Sequence, residues 1–478
     1  MTYYYVIQRR ATTKLLQPSY LYHTTIPYHT TMATAATTTS TRRIAVIGGG
    51  WTGTLCAWSL AQQQPQRRLE PVVLESQATV GGRLAQAQVA WLRAADPQLA
   101  GLYNHIYASD ASSGLRLVPS PSSQTTSPTT SNTTNTTTAA RWGVLGSAGG
   151  GFLPSTVIPL RRTSPQNQQA VDNTTNTDTG DFLNFVEGRA GSTFAAETVD
   201  QNNLSETLLA QSNIQVQTGT TVTQAILQPD GWQLHVKQGT GENGENDGEA
   251  DEILHFDGLV VATEQPSLAA RIVQSIADAE AKAGGSPVLP KLQQLTQHLQ
   301  RIRSHVPLYT WTGKLPPPAA TGDHAAIPFD IVSVPGSPLI QFLSRQAEVG
   351  TRENVNNRTW TAVSTRAFVQ EAMRAKLSED TIQDALTTEV TRLVAPYYPN
   401  QTCPSPVDAT VALTHRALPH ETLQAPTHCL ALQPWRLTIA GDYIYSSASH
   451  RSSLMMTPLE AAALSGLHAG EQTAAYFG

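Results

Sequence analysis

The chain has 478 residues, 40% of them hydrophobic and only 14% charged, with a formal net charge of −5. That length exceeds one ordinary domain and suits two interleaved ones, and the absence of a dense basic stripe excludes nucleic acid as a partner. No apolar run is long enough to cross a bilayer, and Cys56, Cys403 and Cys429 form neither a disulfide framework nor a zinc pattern, so the expectation is a reducing, intracellular setting with no metal site.

Along the chain, the first 43 residues contain no Asp or Glu but carry Arg9, Arg10, Lys14, Arg42 and Arg43 among many Thr and Tyr. This is the composition of organelle import sequences, with mitochondrion or plastid as the destination; a plain leader, a start at Met32, or a cytoplasmic location are the alternatives. Ile44-Ala-Val-Ile47 reads as a buried strand, Thr52 through Ala61 as a helix, and Val72-Val-Leu-Glu75 as a second strand, which together make a βαβ opening. Residues 120–140 and 161–180 are polar insertions that bury too little apolar surface to offset ordering entropy. Residues 214–222 and 232–237 read as alternating strands about a Pro229-Asp-Gly231 turn, followed by an acidic loop over 239–252. Leu259-Val-Val-Ala262 and Leu437-Thr-Ile-Ala440 are further apolar strands, and a helix from Pro458 to Tyr476 closes the chain.

Strands returning to one sheet from distant sequence imply a split domain. The expected fold class is α/β, a split sheet domain with an interleaved α+β domain. The expected boundaries are 1–41 for the leader, 42–110, 201–270 and 431–478 for the three parts of the split domain, and 111–200 and 271–430 for the insertion and the interleaved substrate domain.

The chemistry-bearing signals begin at Gly48-Gly49-Gly50-Trp51-Thr52-Gly53, directly after a strand and opening a helix. Gly48 permits the tight turn, Gly50 lets the backbone approach a pyrophosphate, and Gly53 allows close helix–strand packing, while the helix N-terminus offers free N–H groups to phosphate. Glu75 ends the next strand 27 residues after Gly48, slightly beyond the usual spacing of about 20, where it can accept ribose hydroxyls. Gly81-Gly82-Arg83 follows: Gly82 lets the main chain pass a flat cofactor, and the Arg83 fork can neutralise phosphate. Near the other end, Gly441-Asp442 closes a strand, and Thr457-Pro458-Leu459-Glu460 has the form of a capping box.

This acid-then-Gly-Gly-Arg arrangement resembles the flavin amine oxidase superfamily. GGGWTGTLCA from Gly48 to Ala57, Val222-Thr-Gln224 before the Asp230-Gly-Trp232 turn, His415-Arg416-Ala417 and the run from Leu437 to Asp442 resemble its renalase branch. The resemblance spans roughly residues 42–478 and departs after Arg83, where residues 91–108 have no counterpart to the family's flavin-facing stretch. It implies a Rossmann-type FAD/NAD(P)-binding domain of the glutathione-reductase-like flavoprotein fold with an interleaved α+β substrate domain, and a dissociable FAD, with the backbone of Val222 on the adenine, Asp442 on the ribityl chain, and the Glu460 helix directed at the flavin pyrimidine ring. It further implies oxidation of isomeric dihydronicotinamides, NADH or NADPH misreduced on the ring, with O2 as electron acceptor and hydrogen peroxide as product. An FAD-dependent amine oxidase is the alternative, and a catalytically silent flavin-binding protein a third.

The candidates for the reacting end are Tyr309 and Trp311, which could stack on a nicotinamide, and His415 with Arg416, which could bring charge to a phosphate-bearing substrate. Aromatics alternating along a strand, as Tyr309 and Trp311 do, are more often core, and a structural salt bridge explains His415 with Arg416 equally well. Lys314 is the one lysine with aromatic neighbours that an amine oxidase could use, although a solvated strand-end lysine explains it as well.

Overall fold

In the computed structural model of the chain, the described residues are 41–63, 68–82, 89–94, 98–99, 101–103, 115–118, 142–145, 152–154, 192–197, 204–239, 252–264, 266–284, 287–302, 305–316, 331–334, 337–345, 358–398, 403–419, 422–446 and 458–477. The leader, the two polar insertions, the interior of the acidic loop, Arg83 and Thr457 lie outside them.

The strand Arg42–Ile47 buries its last four residues on both faces, as expected of the centre of a parallel sheet. It passes through the glycine turn into the helix Trp51–Gln62, and the chain returns as the parallel strand Leu69–Leu74. Gly258–Val261 pairs parallel on the other side of Arg42–Ile47, and Leu437–Ile439 pairs parallel beyond it. Gln215–Gln217 and the antiparallel Leu430–Leu432 form the two edges of this six-stranded sheet. Three distant stretches of chain therefore build one nucleotide sheet.

The expected strand over 214–222 is two strands in different sheets. Gly219 adopts φ +66°, a conformation that costs glycine little, and breaks the run. Gln215–Gln217 stays in the nucleotide sheet, while Thr220–Gln228 opens an antiparallel meander with Gly231–Gln238 and Glu252–Phe256. The boundary expected at residue 270 also moves, because it falls inside the helix Pro266–Lys282. That helix and Leu289–Arg301 bury Ile272, Val273, Ile276, Leu292 and Leu299 in the same core as Val222, Trp232 and Leu259. They belong to the cofactor lobe, whose apolar surface they complete.

The second lobe is a seven-stranded sheet in which His305–Leu315 pairs with Val407–Pro419 and Arg358–Ser364, and Trp142–Leu145 with Phe152–Pro154 extend the far edge. The helices Arg366–Ala375 and Glu379–Val394 cover one face, packing Phe368, Val369, Leu386 and Val390 on Trp311, Leu343 and Trp360. Both helices start on sequence-encoded caps, with Thr365 Oγ1 accepting from Phe368 N–H at 3.2 Å and Ser378 Oγ from Thr381 N–H at 3.2 Å. Below them Glu389 accepts from Arg392 Nε at 2.7 Å and from Ser337 Oγ at 2.5 Å. The Arg392 fork is the largest influence and holds the Glu389 carboxyl below its ordinary range. A depressed folded-state pKa stabilises above the unfolded value and loses its effect as pH falls through the folded one. Glu389→Gln is thus expected to be less stable than wild type at pH 7, with the gap closing on acidification through the carboxylate range, as read by urea unfolding at stepped pH.

The closing helix Pro458–Ala475 lies against the first helix through two glycines. A Cβ at Gly466 would stand 2.3 Å from the Thr52 carbonyl oxygen, and one at Gly470 2.5 Å from Ser59 Cβ. Ser59 Oγ adds a bond to the Leu467 carbonyl at 3.2 Å. Gly466→Val would force the helices apart at a cost of about 1–3 kcal/mol, measurable as a lower denaturation midpoint.

Candidate functional site

Parallel α/β sheets collect ligands beyond the carboxyl ends of their strands. At that edge Ile47, Leu74, Ala262 and Gly441 border one cavity of about 460 Å³.

The glycine turn is shaped by three different constraints. Gly48 sits at φ +101°, and a Cβ there would lie 2.6 Å from the Ala262 carbonyl oxygen. Gly53 has no room at all, its Cβ position being 1.8 Å from the Gly48 carbonyl oxygen, so the first helix starts in contact with the turn. Gly50 is the opposite case, with no described atom within 4 Å of its Cβ position and the cavity in front of it. Its φ of −65° and ψ of 179° suit any residue, so the bare main chain there leaves space for a ligand to approach. Gly81 N–H donates to the Gly49 carbonyl at 2.7 Å, and a Cβ added at Gly82, at φ +51°, would stand 3.4 Å from Gly50 Cα, so Gly82 forms the second wall.

Glu75 is 8% exposed and fastens this wall to the rest of the site. Its Oε2 accepts from Gly49 N–H at 2.6 Å and its Oε1 from Gln77 N–H at 2.8 Å. Its backbone receives Thr220 N–H at 2.8 Å, which sets the start of the meander, and with it Thr221 and Val222, at the cavity. A carboxylate with N–H donors on both oxygens keeps lone pairs for hydroxyl donors of a sugar.

At the far end Asp442 is 3% exposed and lines the cavity. Gly441 N–H donates to Ser465 Oγ of the closing helix at 2.8 Å, so that strand end and helix are locked together. The helix adds Leu459 and Ala462 to the lining, with Glu460 beside them, 1% exposed and packed inward. Burial pushes Cys56 well above the ordinary thiol range and Cys429 up to about 12. Both stay protonated at neutral pH, and neither borders the cavity.

Gly48, Gly50, Glu75, Gly82, Val222 and Asp442 thus border one cavity, with Gly53 and Glu460 packed directly behind it; Arg83 lies outside the described residues. The reacting-end candidates are placed differently. Trp311 is fully enclosed, its Nε1 donating to Thr387 Oγ1 at 2.9 Å, and Tyr309 packs edge-on to Phe368 at 6.2 Å. Both pack in one core with side chains of the two helices of the second lobe, because alternate residues of His305–Leu315 point that way. Burial and, secondarily, Glu379 raise the Tyr309 hydroxyl above its ordinary range. Lys314 forms an exposed ion pair with Asp408 at 3.1 Å. His415 and Arg416 continue the strand Val407–Pro419, and their side chains lie outside the described residues. Trp51, Thr263, Glu264, Ser267, Leu268 and Arg271 also line the cavity without having been singled out. Their signal was positional, since they follow the carboxyl ends of parallel strands.

The fold and the cavity define a dinucleotide-binding protein of Rossmann type. A family model for NAD(P)-binding Rossmann-like domains matches residues 46–108, and no curated protein sequence matches the chain. Among solved structures, an Exiguobacterium sp. 255-15 protein described as a protoporphyrinogen oxidase is similar over 91% of this chain and 99% of its own, at 13% identity and TM-score 0.50. A flavoprotein/dehydrogenase from Cytophaga hutchinsonii aligns over 90% of this chain and 78% of its own, at 9% identity and TM-score 0.44. CmlS, a flavin-dependent halogenase, aligns over 92% and 59%, at 12% identity and TM-score 0.44. The likeness to the Exiguobacterium protein is one of fold, and the family match places an NAD(P)-binding Rossmann-like domain on the glycine turn and the strand that follows it.

The two glycines separate fold from function. Gly50→Val would place its Cβ in the open approach with no described atom within 4 Å, so folding should persist while flavin retention is lost. Gly53→Val should lose both, as read by circular dichroism and by absorbance near the flavin bands.

Proposed function

We propose that this chain is an FAD-dependent oxidase of renalase type, taking hydride from misreduced isomers of NADH or NADPH and passing the electrons to O2, with hydrogen peroxide as product. The observation that carries the cofactor assignment is the single cavity running from Glu75 and Gly50 at one end to Asp442 and the closing helix at the other. A carboxylate at the glycine turn and a second beside the closing helix suit the two sugar-like portions of a dinucleotide. The substrate assignment rests on the resemblance of the Gly48–Ala57, Val222–Gln224 and His415–Ala417 segments to renalases.

FAD, when bound, supplies the hydride-accepting and oxygen-reducing chemistry. The protein's own part is placement and electrostatics. Glu75 would hold the ribose through the lone pairs left by its two N–H donors, and Gly50 and Gly82 would let main-chain N–H groups meet the diphosphate. Asp442 would accept from the ribityl hydroxyls. The N-terminus of the closing helix, at Leu459 and Ala462, would present its positive dipole end to negative charge on the ring system. His415 and Arg416 are the proposed contacts of the substrate's phosphate-bearing portion.

Oxidation of amines gains no support from Lys314, which is exposed and paired with Asp408. Anaerobic mixing of the purified protein with 6-dihydro-NAD, ordinary NADH and a panel of amines tests the proposal. Rapid loss of flavin absorbance with 6-dihydro-NAD alone is expected. Bleaching by amines alone would replace the proposal with an amine oxidase, and no bleaching by any of them would leave a silent flavin-binding protein.

A further inference from the structure

The described lining of the cavity carries four side chains with formal charge, and three of them are acids: Glu75, Glu264 and Asp442. A dinucleotide brings further negative charge on its diphosphate. Arg271 is the one cation among the described lining residues.

Its position follows from helix geometry. On Pro266–Lys282, Ala269, Ala270, Ile272, Val273, Ile276 and Ala277 form the buried stripe against the sheet and meander. Ser267, Leu268 and Arg271 are related by three- and four-residue spacing, so they share a different face, and all three border the cavity. The same helix packs against Thr220–Gln228, whose Thr221 and Val222 line the cavity too, and Thr220 is bonded to the backbone of Glu75. Arg271 therefore stands at the Glu75 end, the end assigned above to the nucleotide. Its side chain is exposed and makes no ion pair with a described residue. The guanidinium is thus held at the cavity with its charge uncommitted within the described protein.

We infer that Arg271 supplies counter-charge to the diphosphate of the bound dinucleotide, in addition to the charge expected from Arg83, and that it helps set how tightly the nucleotide half is held. This inference rests on the proposed FAD site. Its role is positioning: a planar fork beside Ser267 offers paired N–H donors to phosphate oxygens and offsets the repulsion from Glu75 and Glu264. Because the group is exposed, the attraction is open to screening by salt.

The test is the affinity of the full-length apoprotein for FAD, by titration of flavin fluorescence, for wild type, Arg271→Met and Arg271→Lys at low and high salt. Met keeps an apolar stem of similar length and removes the charge together with the N–H donors, whereas Lys keeps the charge without the planar fork. At low salt Arg271→Met should bind FAD about tenfold more weakly, the size of one lost charge-assisted contact. Arg271→Lys should fall between Met and wild type, and raising salt should bring the three together. Thermal midpoints of the three apoproteins should coincide, since the side chain is exposed and makes no ion pair with a described residue. Equal affinity of Met and wild type would overturn the inference, as would a tenfold loss that salt leaves unchanged or that Lys does not relieve at all. Failure of the wild-type protein to bind FAD would instead overturn the cofactor assignment itself, so the two failures are told apart.

Discussion

The site depends on the short bond from Gly49 N–H to Glu75 Oε2, 2.6 Å long and shielded from water. A charge-assisted bond in such surroundings is stronger than a neutral one. It fixes the end of the second strand to the turn after the first. The other carboxylate oxygen holds Gln77 N–H, and the Glu75 backbone carries bonds from Thr220 and to Gln217. One residue thus joins the glycine turn, the second strand, the sheet edge and the start of the meander. Every wall at the nucleotide end is placed relative to this carboxylate.

What surrounds that bond alternates between crowding and open space. Gly48 and Gly53 are pressed against backbone, and Gly441 has the Tyr443 ring 2.3 Å from its Cβ position, so the main chain there cannot shift. Gly50 faces emptiness. Rigid neighbours around an open glycine make a preorganised approach for an anion, with no reorganisation needed on binding. The closing helix completes the arrangement by packing Gly466 and Gly470 on the first helix, which brings two helix N-termini to the same cavity. Stability and function share these contacts, because the glycines that let the helices meet also aim them.

The strand–turn–helix opening was readable from sequence because its determinants are local: an apolar run, glycines at fixed offsets and an acid at the next strand end. The misreadings come from non-local facts. Residues 214–222 alternate without interruption, and only the left-handed backbone at Gly219 divides them between two sheets. Tyr309 and Trp311 show the two-residue period of a strand, but the period does not say which face meets helices and which meets a ligand. The second lobe's helices, hundreds of residues from the glycine turn, decided that. Arg271 had no motif around it at all. Its place at the cavity arises from a helix that begins where a parallel strand ends, a property of the assembled sheet.

The most direct measurement is the chromophore content of the purified full-length protein, by absorbance and by chromatography of whatever heat denaturation releases. A dinucleotide cavity organised by Glu75 predicts a yellow protein that releases stoichiometric, intact FAD and, once stripped, takes it up again. Colourless protein that releases no nucleotide and leaves the fluorescence of added FAD unchanged would contradict it.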